Sequence, residues 1–321
     1  DNRLTLPMSG TGSAAMEATL ANTVEPGDTV LVAVKGYFGN RLMDMAGRYR
    51  AKVEVIEKPW GEAFTLDELE TAIKRHKPTI LAMVHAETST GVCQPMEGIG
   101  DLCRDNDCLL LLDTVTSLGG VPLHLDAWKV DLAYSCSQKG LSCPPGLGPF
   151  TMGPRAEAKL AARGDKVPNW YLDVSLLNQY WGSDRVYHHT APVNMNFGMR
   201  EALRLLAEEG LENAWARHRQ NAETLWSGLE SLGLEMHVPE ELRLPTLTTV
   251  RIPPDVDGKA FSSHLLNTHG IEVGGGLGVL AGKIWRIGLM GYNSTPENVS
   301  RLLNLFETEL PQFRQGAAVA A

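Results

Sequence analysis

The sequence predicts an α/β protein, a mostly parallel sheet covered by helices and followed by a smaller α+β domain. Two observations carry this. Through the first half, apolar runs of strand length alternate with helical segments, the pattern of crossover-connected strands. Several of those runs are apolar almost throughout, as in parallel strands buried on both faces.

Taken in order, "TVLVAV" (29–34), "KVEVIE" (52–57), "TILAMVH" (79–85), "CLLLLD" (108–113) and "DLAYSCS" (131–137) read as strands. "TLDELETAIKRH" (65–76) reads as a helix that opens on a capping box, with Thr65 as N-cap and Glu68 three residues on. Asp67 and Glu68 at its start, and His76 and Lys77 at its end, suit the helix dipole. Two long amphipathic helices follow, "NMNFGMREALRLLAEEG" and "LENAWARHRQNAETLWSGLESLG", each closed by Gly. The strands "TLTTVRI" (246–252) and "KIWRIGL" (283–289) then flank the helix "GKAFSSHLLNTHG". The boundary falls at Gly210, giving a large domain over 1–209 and a small one over 210–321, joined by the long helices with no low-complexity linker.

Composition removes several function classes. The 321 residues carry a net charge of −9, from 29 basic and 38 acidic side chains, which argues against a nucleic-acid footprint and against an anionic membrane surface. No apolar run reaches the roughly 18 residues of a spanning helix. Five cysteines without C-x-x-C spacing predict neither a zinc site nor a disulfide framework, so no metal is expected. An odd count points to a reducing, intracellular compartment, the cytoplasm first. "DNRLTLPMSG" has no signal-peptide pattern, and the tail "RQGAAVAA" reads as disordered, with no peroxisomal address.

Three features could carry chemistry. "MSGTGSAAMEATL" (8–20) is a Gly/Ser turn opening a helix; such turns bind anions through backbone N–H groups and the helix dipole, and a tight turn without ligand explains it equally. Asp113 ends a buried strand, where open α/β sheets place their ligands, and could instead cap the next turn. Lys139, in "AYSCSQKGLSCPPGLG", lies among small residues just past the next strand. A structural lysine paired with a carboxylate would fit there, and so would a desolvated, nucleophilic amine. Together the three are the contacts that pyridoxal phosphate requires: an anion turn, a carboxylate for the ring nitrogen, and a lysine for the aldehyde. The blander readings are kept for other groups. His188 and His189 suit an interface or a helix entry, His85 a satisfied strand end, and "VGGGLGVLAGK" (273–283) a mobile loop.

The stretches "MSGTGSAAMEA", "HAETSTG", "LLLDTVTSLGG", "YSCSQKG", "PPGLG", "YHHTAPV" and "RIGLMGYN" occur in that order. Through them the chain, to roughly residue 311, resembles the class V, fold-type I aminotransferases, in particular the branch that passes an amino group from alanine or serine to glyoxylate or pyruvate. The resemblance implies a pyridoxal 5′-phosphate enzyme with Lys139 as the Schiff-base lysine and general acid/base. It implies Gly12, Ser13 and Gln138 at the phosphate, and Asp113 at the pyridine nitrogen. Phe38 takes the place of the usual stacking Trp, and Thr88 a position often held by Ser. Arg286 is implied at the substrate α-carboxylate. Tyr187 and Thr190 would reach the cofactor of a partner subunit, so the implied assembly is a homodimer with composite sites acting on small amino and 2-oxo acids. Family members carry several dozen residues upstream of the phosphate turn that this sequence does not show. The readings kept beside transamination of alanine or serine are a 3-hydroxykynurenine-type transaminase, a cysteine desulfurase-like lyase, and an inactive fragment. For the lyase, Cys93 and Cys143 are not expected on a long exposed loop.

Overall fold

The structure is a computed structural model that describes residues 2–314; all of the tail read as disordered except Arg314 lies outside the described residues. Seven strands form one sheet: β1 (Leu4–Ser9), β2 (Thr29–Val34), β3 (Lys52–Glu57), β4 (Ile80–Val84), β5 (Leu109–Asp113), β6 (Leu132–Tyr134) and β7 (Leu147–Met152). Their order is β1-β7-β6-β5-β4-β2-β3. The pairs from β3 to β6 are parallel, and β7 runs antiparallel to both β6 and β1. β1 therefore points the same way as the parallel strands, and the turn after it opens on the edge where their C-terminal ends lie.

The five predicted runs are strands, trimmed by a residue or so. The exception is "DLAYSCS", whose strand stops at Tyr134. Beyond it the chain keeps the same register on β7, by Ser135 N to Pro149 O (2.8 Å) and Ser137 N to Leu147 O (3.0 Å), and reaches Lys139 two residues later.

Helices cover both faces. α1 (Gly12–Thr23) and α2 (Tyr37–Arg48) lie on one side, α3 (Leu66–His76) and α4 (Ile99–Asp105) on the other. α3 starts on the predicted capping box, with Glu68 N donating to Thr65 Oγ1 and Thr65 N to the Glu68 carboxylate. α5 (Pro154–Ala161) and α6 (Val174–Trp181) follow β7. α7 (Val193–Glu209) meets α8 (Leu211–Ser231) at Gly210.

A second core draws on residues from Ala222 onward. It is closed by β8 (Leu247–Arg251), α9 (Gly258–His269), β9 (Ile284–Gly288) and α10 (Pro296–Glu309). Trp285 fills its centre, 1% exposed, with Nε1 donating to Gly258 O at 3.0 Å. The stretch read as a loop ahead of Arg286 instead supplies a two-residue strand, Gly274–Gly275, against β9; a glycine run carries little strand signal because it has no side chain to pack. No helix among the described residues is long and apolar enough to cross a membrane.

Candidate active site

Asp113 ends β5, the central strand, and is 2% exposed. Its Oδ2 accepts from Tyr134 OH at 2.6 Å and its Oδ1 from Val115 N at 2.8 Å. Burial nevertheless pushes the carboxyl up to about 6, and these two hydrogen bonds only partly oppose it. A carboxylate kept at this cost at a strand end suits a cationic partner.

The turn after β1 delivers the start of α1. Thr11 is the N-cap, and no side chain caps the helix, which leaves first-turn N–H groups open to an anion. Gly12 is needed by close approach: a Cβ there would stand 2.8 Å from Cys136 Cβ. Ser13 Oγ accepts from the Arg41 guanidinium at 3.3 Å, and Arg41 lies 4.9 Å from the centre of the Phe38 ring. Arg41 thus brings a cation to the same turn, a residue the sequence reading passed over; its position four residues after Tyr37, on the first turns of α2, was the available signal.

Lys139 is half-buried and makes no salt bridge among the described residues. Burial lowers its pKa; the nearby Cys136 opposes this and Arg286 adds to it. Cys136 links the parts of the site. It is buried against Gly12, its thiol faces the N–H groups of Gln138 and Lys139, and it feels the charges of both Lys139 and Asp113. Lys139 opens into a cavity of about 600 Å³ shared with Thr88, Gln138, Glu272, Arg286 and Asn293.

Arg286 enters from β9 of the second core. Its Nε donates to Gly275 O at 2.7 Å, and NH1 reaches Thr88 O at 3.5 Å. Thr88 is buried and its hydroxyl pairs with that of Thr116. The Lys139 loop is also fastened to the second core. Tyr292 N donates to Ser142 Oγ at 2.7 Å, and a Cβ on Gly291, whose φ is +56°, would fall 1.8 Å from that oxygen.

Of the residues named from the sequence, Thr88, Gln138, Lys139 and Arg286 line this cavity, and Gly12, Ser13, Phe38, Asp113, Tyr187 and Thr190 do not. Tyr187 is 74% exposed, and its hydroxyl lies 3.3 Å from Thr190 Oγ1. Next to them His188 stacks on Trp170 with ring centres 4.2 Å apart, and His189 Nε2 meets Ser9 Oγ at 2.6 Å. His85 corrects the satisfied reading. It is buried, its Nε2 lies 3.7 Å from Cys93 Sγ, and its Nδ1 has no partner. Among the described residues one group of His and carboxylate side chains is close enough to share an ion, His264, His269 and Glu309, and there His264 and Glu309 already pair at 3.2 Å.

The family model for aminotransferase class-V matches residues 2–302. The chain belongs to the class-V aminotransferases. This class-V aminotransferase is 47% identical over 302 residues to an alanine–glyoxylate aminotransferase of Callithrix jacchus, covering 93% of this chain and 73% of that one. It is 39% identical to a (S)-ureidoglycine–glyoxylate transaminase of Bacillus subtilis, covering 98% and 80%. Among solved structures it superposes on an alanine–glyoxylate aminotransferase from Nostoc sp. with a TM-score of 0.95 and 66% identity, covering 96% and 81%. The enzyme is a transferase of the predicted α/β fold.

The group such a site implies, pyridoxal 5′-phosphate, fits the residues present. An uncapped helix start beside Arg41 suits the phosphate, a buried strand-end carboxyl suits a ring cation, and an unpaired lysine with lowered pKa suits an aldehyde.

Proposed function

We propose that this aminotransferase binds pyridoxal 5′-phosphate and transfers the amino group of alanine, with serine as a further donor, to glyoxylate or pyruvate. The observation that carries the substrate class is the cavity lining. Lys139 and Arg286 are its basic side chains, and Glu272 adds a negative charge. One guanidinium suits one α-carboxylate, and among the described residues that line the cavity no second guanidinium or further lysine stands for a dicarboxylic side chain. The names of the relatives support glyoxylate as acceptor, since the marmoset and Bacillus proteins share that word.

When bound, the cofactor supplies an aldehyde carbon and a protonated ring that withdraws electrons from the substrate Cα. Asp113 would hold the proton on the ring nitrogen. Gln138, Ser13 and the N–H groups at the start of α1 would hold the phosphate. Phe38 and Thr88 would contact the ring. Arg286 orients the substrate by a bidentate fork on its carboxylate. Lys139, its amine deprotonated more readily than an exposed lysine, takes the proton from the substrate Cα. The test is turnover of alanine with glyoxylate, read as pyruvate and glycine formed together, beside parallel runs with glutamate, cysteine and 3-hydroxykynurenine. A rate with glutamate equal to that with alanine would reject the substrate class, and sulfide from cysteine would replace transfer by a lyase reaction.

Replacing Arg286 by Lys keeps the charge and loses the fork. The expected result is a fall of about 100-fold in kcat/KM for donor and acceptor alike, because both carry a carboxylate at one place. A loss confined to one substrate would assign Arg286 another contact.

The active form is a homodimer in which Tyr187 and Thr190 serve the partner's phosphate. The support is an exposed apolar surface around them, with Trp170 at 60%, Val193 at 55% and Phe197 at 67% exposed. An obligate interface of this kind buries more than ~2,000 Å². Sedimentation with and without pyridoxal phosphate should show a dimer favoured by the cofactor. A fully loaded, active monomer would remove the composite site.

A further inference from the structure

Lys35 directly follows β2 and is 1% exposed, whereas lysines are almost never fully buried unless paired. Its ammonium donates to Val84 O at the end of β4. Val84 stands opposite Asp113 in the register of β4 and β5, so the charge sits beside the strand end that carries the buried carboxylate. On the other side a Cβ on Gly36 would lie 2.3 Å from the Glu87 carboxyl carbon. Glu87 is buried at 0% exposure. Its Oε1 accepts from Ser89 N at 3.1 Å and Ser89 Oγ at 2.6 Å, and its Oε2 has no partner. The charges of Glu87, Cys93 and Asp113 all act on Lys35. His85 cannot replace it as a cation, because burial and the Lys35 charge push the imidazole down to about 3. Beneath the site, then, one buried ammonium, held by Val84 O, lies in the electrostatic field of two buried carboxyl groups without a direct ion pair to either among the described residues. Neither Lys35 nor Glu87 is among the residues assigned from the sequence.

We propose that Lys35 is a positioning residue for transamination: its buried ammonium balances Glu87 and Asp113, so that Asp113 meets the ring nitrogen as a carboxylate. This rests on the pyridoxal phosphate reading above. Without Lys35 the two buried carboxyl groups would lose the one cation that offsets their charge in a low-dielectric region. Asp113, already displaced upward by burial with the Glu87 charge adding to it and Lys35 opposing it, would be displaced further. A protonated Asp113 cannot attract a ring cation.

The test is a double-mutant cycle of Lys35→Met, Glu87→Gln and the pair, read as thermal unfolding of the apoenzyme and as the Kd for pyridoxal phosphate by equilibrium dialysis. Met keeps the aliphatic stem, so packing is held nearly constant. Lys35→Met should weaken cofactor binding at least tenfold and lower Tm, and adding Glu87→Gln should recover most of both. A plain packing role would leave the second substitution without benefit. Cofactor affinity within twofold of wild type in Lys35→Met, or a double variant no better than the single one, overturns the proposal. If Lys35→Met does not fold, a folded double variant supports it and an unfolded one overturns it. Failure of the wild-type protein to bind the cofactor would instead reject the pyridoxal phosphate reading, and the Tm cycle would still report the charge balance.

Discussion

Lys139→Ala is expected to lower kcat by at least about 10³-fold and to leave cofactor binding largely in place. Two contributions vanish together: the amine that joins the cofactor aldehyde, and the base at the substrate Cα, which alone is worth about 10²–10⁴ in rate. The phosphate turn, Asp113 and Arg286 do not depend on the lysine side chain, which makes no salt bridge among the described residues, so the fold should tolerate its loss. Borohydride treatment of loaded wild-type protein should fix the cofactor's mass on the peptide that holds Lys139. Mass on another lysine, or near-normal turnover of the variant, would overturn the assignment.

Asp113→Asn separates stability from activity. A carboxyl whose folded pKa is raised to about 6 from its ordinary value of 3.8 favours the folded state only while protonated. Its contribution is present in full below pH 4 and is lost as pH rises through about 6. At neutral pH the buried charge therefore costs the apoenzyme at most about 3 kcal/mol. Asn can still accept from Val115 N through its oxygen and meet Tyr134 OH through its amide, replacing the bonds of 2.8 and 2.6 Å. The expected variant is an apoenzyme at least as stable as wild type at pH 7, without the wild-type loss between pH 4 and 6. Cofactor affinity and kcat should fall by about 100-fold or more, since an amide cannot hold a proton on the ring nitrogen. Thermal unfolding of both apoproteins across that pH range, beside kcat, checks the pair of effects. Unchanged turnover would remove Asp113 from the mechanism.

Most of the large sheet was legible because its inner strands are apolar on both faces, as with "CLLLLD" and "TILAMVH". The edge pair β1 and β7 was not. Each holds a proline, Pro7 and Pro149, which demotes a strand pattern, and the two stand opposite one another in the ladder. That Asp113 ends a buried strand and that Lys139 follows the next one was readable from position alone, because apolar runs mark the strands that carry them. Arg41, Lys35 and Glu87 were not: each follows or opens an element in a way that fits an ordinary surface charge, and burial is a property of the finished packing. Gly274–Gly275 carried no strand signal for want of side chains. Arg286 could be given a role only through the resemblance, since nothing near it in the sequence says that β9 faces Lys139.

The pairing of β1 with β7 bears on how the enzyme is made. Leu4 lies opposite Met152 and Ser9 opposite Leu147, and Gly10 N donates to Gly146 O at 3.0 Å, so the phosphate turn is clamped by partners roughly 140 residues downstream, a high contact order. During synthesis the turn emerges well before β7 and waits, unpaired, until β7 has been made and has slotted between β1 and β6. A cofactor held at the turn after β1 would therefore act after β7 has paired, not before. Pyridoxal phosphate added during refolding should raise the final yield and leave the first kinetic phase unchanged.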